Sequence, residues 1–172
     1  MSSVIIRAGV RIGAHRECHI HDGLTISKRR TTGMKDDNCI FCKLANGDIP
    51  TNVIYEDEMF TVIMDASPAT RGHALILPKE HAANIYELPD ETASKVFVLA
   101  KKLAARMTEI LKCDGFNIIQ NNGEVAGQTV FHFHMHLIPR YIGDGNEEKM
   151  CWNHAELSGD EIAEICKKLD MR

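Results

Sequence analysis

Three of the chain's nine histidines stand at every second position in the run Val130-Phe131-His132-Phe133-His134-Met135-His136-Leu137-Ile138-Pro139-Arg140, with bulky apolar residues between them. An imidazole with a pKa near 6.5 is largely neutral at pH 7, so it can act as nucleophile, proton carrier or metal ligand. In a strand, successive side chains point to opposite faces. His132, His134 and His136 then share one face at roughly 6.5 to 7 Å intervals, while Phe131, Phe133, Met135 and Leu137 share the other. One histidine can attack phosphorus while another, protonated, offsets charge on a phosphate. The bland alternative is an edge strand with its polar residues turned outward.

A second grouping is Cys39-Ile40-Phe41-Cys42, the only close pair among six scattered cysteines. This is no disulfide framework, and in a reducing compartment such a pair reads as two metal thiolates or a redox couple. Two thiolates at this spacing chelate one zinc, and tetrahedral closure needs two more ligands from elsewhere. His15, Cys18, His19 and His21 are also close enough to chelate. They fall in a stretch without sustained periodicity, and no site is assigned to them.

The elements that must carry these groups follow from periodicity. Residues 39–45 read as a short helix ended by Asn46-Gly47-Asp48. Strands are expected at residues 53–56, 59–65 and 72–79, and their spacing makes an antiparallel meander. Pro89-Asp90-Glu91 opens a long helix whose Val96, Phe97, Ala100, Leu103, Ala104, Met107, Ile110 and Leu111 recur at three- and four-residue steps, with Gly115 as its stop. A strand at 116–120, a turn at 121–124 and the Ala126-Gly127-Gln128-Thr129 lead-in bring the chain to the histidine run. Ser158-Gly159-Asp160-Glu161 carries a capping-box signature before a last helix. About five strands and two or three helices make an α+β fold.

At 172 residues and 44% apolar content the chain is long enough for one domain with a real core. Residues 1–33 hold six basic against two acidic residues, and the remainder holds 14 against 22. The first 33 residues read as a basic extension outside the domain, residues 34–145 as the domain, and 146–172 as a C-terminal segment with a short helix. An acidic body argues against a partner bound through a nucleic-acid backbone, although a pocket can still hold one phosphate. No apolar run approaches the roughly 20 residues of a membrane span, and no secretory signal is read at the start, so the cytoplasm is the expected location.

With these residues in view, the chain resembles the histidine-triad (HIT) family, whose motif alternates three histidines with apolar residues and ends in two more. The resemblance runs from about Cys39 to Arg140, includes the Gly-Gln-Thr-Val lead-in and the Gly72-His73 pair, and is nearest to bacterial members of the Hint branch. It implies a sheet packed on the long helix, dimers that join their sheets, and a nucleotide phosphate over the histidine row. It assigns His134 the nucleophile's role through a nucleotidyl-histidine intermediate. His136 and His73 would hydrogen-bond the phosphate, with Gln128, Thr129, Gly127 and Asn121 beside it. Ile40, Phe41, Leu44 and Ile63 match base-pocket positions, and Asp65 matches the ribose-binding acid. In zinc-containing relatives a cysteine pair, a histidine after the third strand and the first triad histidine bind the metal, which here are Cys39, Cys42, His81 and His132. The implied activity is hydrolysis or transfer at the α-phosphorus of a purine nucleoside phosphoramidate. A dinucleoside polyphosphate hydrolase of the Fhit type and a nucleotide-binding regulatory module remain as alternatives.

Overall fold

The structure, a computed structural model, describes residues 34–145 and 155–171. The expected extension at 1–33, with its histidines and cysteine, and the residues Trp152 and His154 lie outside the described residues.

A five-stranded antiparallel sheet is built from β1 (Val53–Glu56), β2 (Phe60–Met64), β3 (Ala74–Pro78), β4 (Gly115–Ile119) and β5 (Met135–Arg140), in the order β1-β2-β3-β5-β4. The first three strands form the expected meander. Helix α1 (Ile40–Ala45) precedes the sheet, α2 (Asp90–Leu111) links β3 to β4, and α3 (Gly159–Leu169) lies near the end of the chain. The α+β expectation holds.

Both faces of the sheet are covered, which explains why β2 and β3 read as unbroken apolar runs. On one face Phe60, Val62, Ala74, Ile76, Phe133, Met135 and Leu137 pack against Val96, Leu99, Ala100 and Met107 of α2. Each large side chain buried here contributes about 1.5 to 3 kcal/mol relative to exposure. On the other face α1 lays Phe41, Leu44 and Ala45 over Ile63, Leu75 and Leu77. Thr61 locks that helix to β2 by donating its hydroxyl to the Ala45 carbonyl at 2.6 Å.

Three expectations need adjustment. First, the histidine run is not all strand: β5 begins at Met135, and His132 and His134 lie in its extended lead-in. Pairing with β3 ends at Ile76 opposite Met135, beyond which the Phe133 amide donates to the Ala82 carbonyl in the loop after β3. Second, Phe97 and Ile110 do not enter the core of this chain; they are 60% and 58% exposed. The core-facing stripe runs instead through Val96, Leu99, Ala100, Leu103 and Met107. Third, α2 is stopped by Lys112 in the left-handed conformation, φ 54°, and Gly115 opens β4.

The loop from β2 to β3 returns the chain beside the C-terminal end of α2 through Gly72. Its φ is +92°, and a Cβ there would sit 2.5 Å from Leu111 Cδ1 and 3.2 Å from Pro139 Cγ. Gly72→Ala therefore combines backbone strain with a steric clash, and a loss of about 1 to 3 kcal/mol is expected, read as a lower urea midpoint in equilibrium unfolding.

Candidate active site

The face under α1 carries a continuous line of rings. His81 and His132 have centroids 5.4 Å apart, His134 and His136 5.0 Å, and His136 and His73 5.1 Å, while the Phe41 ring stands edge-on to His134 at 5.0 Å. His132, His134 and His73 are buried and His136 is partly so. Burial holds all four below the usual imidazole range: His132 and His136 fall to about 4, and His73 and His134 shift in the same direction. These four rings are neutral at pH 7.

A neutral imidazole has one N–H and one bare nitrogen, and the fixed partners decide which is which. His134 Nδ1 lies 2.7 Å from the His132 carbonyl, an acceptor only, so the proton sits on Nδ1 and Nε2 keeps its lone pair. A nucleophile is thereby presented. His132 Nε2 lies 3.0 Å from the Pro78 carbonyl, so His132 Nδ1 is bare. The Ala69 amide donates to His73 Nδ1 at 3.0 Å, which puts the His73 proton on Nε2, 2.9 Å from His136 Nδ1. His136 then accepts at Nδ1 and carries its own proton on Nε2.

Among the described residues two clusters have metal-like spacing. Cys39, Cys42, His81 and His132 bring their ligand atoms within 4.8 Å of one another. Cys42 Sγ is 3.3 Å from His81 Nδ1 and 3.4 Å from His132 Nδ1, and Cys39 Sγ is 3.5 Å from His132 Nδ1. A tetrahedral zinc with ordinary Zn–S and Zn–N bonds sets sulfur and nitrogen about 3.6 Å apart, so these four residues fit. The bare Nδ1 of His132 faces the thiols, and its Nε2–H is held by a carbonyl as a ligand histidine's should be. Burial and the neighbouring Cys39 push the Cys42 thiol up to about 11, so a thiolate there calls for a cation. Asp65, His73 and His136 form the second cluster. There the Ala69 amide occupies His73 Nδ1 and leaves the proton on Nε2, the atom a metal would need. Within that trio only His73 and His136 share a hydrogen bond, and Asp65 Oδ2 stands 3.5 Å from His73 Nε2.

The remaining expected residues fall in three places. Asp65, partly buried, accepts the Ser67 amide on Oδ1 at 2.7 Å and turns Oδ2 toward His73 Nε2 at 3.5 Å. Phe41, Leu44 and Ile63 join Leu75 and Leu77 in the apolar cluster beside the row, whereas Ile40 is 46% exposed on α1. Gln128 is buried and donates to the Ala83 and Val130 carbonyls while accepting the Gly123 amide at 2.8 Å, so it ties three segments together. Thr129 and Gly127 are exposed, and a Cβ on Gly127 would stand 3.6 Å from the Asn121 side-chain nitrogen. Sequence reasoning missed Leu75 and Leu77, whose signal was the apolar run of β3. It also missed the His132 and Pro78 carbonyls and the Ala69 amide, which leave no mark on residue identity.

A buried row of neutral histidines along a sheet, one with a bare Nε2, is an arrangement that can use imidazole for group transfer. Residues 46–143 match the HIT domain model, and the chain belongs to that family. It is similar to the protein named hit of Bacillus subtilis, 49% identical over 110 residues that cover 63% of this chain and 76% of that one. It is also similar to an adenosine 5′-monophosphoramidase of Saccharomyces cerevisiae, 36% identical over 150 residues covering 85% and 89%. A solved zinc-bound histidine triad protein of Mycobacterium smegmatis is 34% identical, with a TM-score of 0.59 over 76% of this chain and 97% of that one.

The lowered histidine pKa values set a pH dependence. In the unfolded chain these histidines take up protons near pH 6.5, whereas His132 and His136 in the folded chain do so only nearer 4, so stability rises with pH across that window and is lost as the pH falls through it. The urea midpoint is expected to drop between pH 7 and pH 5, with the His136 ring, followed by NMR, still neutral at pH 5.

Proposed function

We propose that the chain is a nucleotide hydrolase of HIT type acting at the α-phosphorus of a purine nucleoside 5′-phosphoramidate such as adenosine 5′-phosphoramidate. The observation that carries this reading is the His134 Nδ1–H···O=C bond to His132, which leaves Nε2 bare in a dry, neutral row. His134 Nε2 forms a bond to phosphorus as the P–N bond breaks, and the amine leaves with one proton taken up from solvent, which the attacking water gives back in the hydrolytic step. The resulting nucleotidyl-imidazolium keeps its Nδ1–H on the His132 carbonyl, which offsets its charge. Water then attacks phosphorus, releasing the nucleoside monophosphate and restoring the imidazole. His136 Nε2–H donates to a phosphoryl oxygen; Thr129, Gly127 and Asn121 line the approach. Gln128 contributes by holding their turn. Phe41, Leu44 and Ile63 offer an apolar slot for the base, with Ile40 at its outer margin, and the Asp65 carboxylate accepts from the ribose. The name of the yeast relative supports the substrate class.

Cys39, Cys42, His81 and His132 would hold a structural zinc, a reading supported by their spacing and by the zinc-bound relative. Bound zinc supplies a covalent tie between α1 and the lead-in of β5. A pair of copies joined along β4 suits the exposed apolar side chains of α2, Phe97, Val98 and Ile110, and the 41% exposed Ile118 on the edge strand. No helix among the described residues is long and apolar enough to cross a membrane, and reduced, metal-binding thiols suit the cytoplasm.

Removal of the nucleophile tests the activity directly. His134→Ala is expected to lower kcat on adenosine 5′-phosphoramidate by about 10³-fold or more while AMP binding persists, and undiminished turnover would refute the assignment. For the metal, elemental analysis of purified protein should give one zinc per chain, lost together with thermal stability in Cys42→Ser. A metal-free wild type would exclude the zinc site.

A further inference from the structure

The loop between β2 and β3 is exposed at residues 66–69 and at Arg71, yet Thr70 within it is only 9% exposed. Its hydroxyl donates to the Pro139 carbonyl at 2.6 Å. That carbonyl lies past the last rung between β3 and β5, Ala74 opposite Leu137, so the threonine takes the place of a ladder donor. The Thr70 carbonyl in turn accepts the His73 amide at 3.1 Å, closing a turn with Gly72 at the positive φ that its third position favours. Ala69 comes immediately before, and its amide is aimed at His73 Nδ1.

We propose that Thr70 is a positioning residue of the reaction: anchored on β5, it holds the Ala69 amide against His73 and so fixes which nitrogen of His73, and then of His136, carries the proton. The inference rests on the hydrolase reading for its kinetic consequence. A His73 ring protonated on Nδ1 would oppose two donors, Ala69 N–H and Nδ1–H, at 3.0 Å. Its bare Nε2 would then accept from His136 Nδ1–H, and His136 would present a lone pair to the phosphoryl oxygens. The anchored turn excludes that arrangement. Polarity runs one way: Ala69 N–H to His73, His73 Nε2–H to His136, His136 Nε2–H to the phosphate. The same polarity keeps divalent metals off Asp65, His73 and His136 despite their spacing.

The test compares wild type, Thr70→Val, which is isosteric but has no hydroxyl, and Thr70→Ser, which restores one. Two-bond proton–nitrogen spectra of histidine-labelled full-length protein read each ring's tautomer without substrate. The expected result is His73 and His136 protonated only on Nε2 in wild type and a mixture of tautomers at both in T70V. With adenosine 5′-phosphoramidate, kcat in T70V should fall about tenfold, the worth of one hydrogen bond, with KM little changed and both effects reversed in T70S. A wild-type His73 protonated on Nδ1 overturns the proposal, whether or not the variant folds. So does a T70V protein that melts earlier with tautomers and kcat unaltered. Wild type inactive on the phosphoramidate would sink the hydrolase reading instead, and the T70V spectra would still decide the tautomer control.

Discussion

Packing four imidazoles side by side under the surface of one sheet is allowed only if all are neutral and every inward N–H meets an acceptor. A charge on one ring would oppose charge on its neighbours 5 Å away, and burial penalises every charged form. That requirement organises the site. The His132 carbonyl takes the His134 proton, the Pro78 carbonyl takes the His132 proton, and the Ala69 amide forces the His73 proton outward to His136. Each partner is backbone, so orientation of the rings depends on where the main chain runs.

The scaffold holds the main chain there by covering both sides of a small sheet. Helix α2 buries the apolar alternates of the lead-in and β5, Phe133, Met135 and Leu137, and so fixes the histidines on the opposite face. Helix α1, fastened through Thr61 to the Ala45 carbonyl, brings Phe41 onto His134 and the two thiols to His132. His132 is the joint between the two halves of the site: one nitrogen faces the thiols, the other is tied to β3, and its carbonyl orients the neighbouring ring.

Chemistry follows from the differences among rings that are identical in the sequence. His134 offers a lone pair, His136 a donor, and His132 a bare nitrogen that faces the thiols. Gln128, for all its place in the lead-in, spends its amide on three backbone groups, and this shapes the turn that carries Gly127 and Thr129.

Much of this was legible in the residues. The alternation of histidine with Phe133 and Met135, the helical period through Val96, Ala100 and Met107, and the paired cysteines are local, because strand and helix geometry repeat at fixed intervals along the backbone. They were enough for the α+β class, the meander and the set of groups with chemical potential. Which flank of α2 enters the core was not legible, since Phe97 and Val96 are equally apolar and only the position of the sheet separates them. The tautomers, the fourfold meeting of Cys39, Cys42, His81 and His132, and the anchoring of Thr70 on Pro139 were decided by tertiary structure alone. Carbonyls and amides are the same at every residue, and only folding fixes which of them meets a given ring, whether it is His132 beside His134 in the chain or Pro78 far from His132.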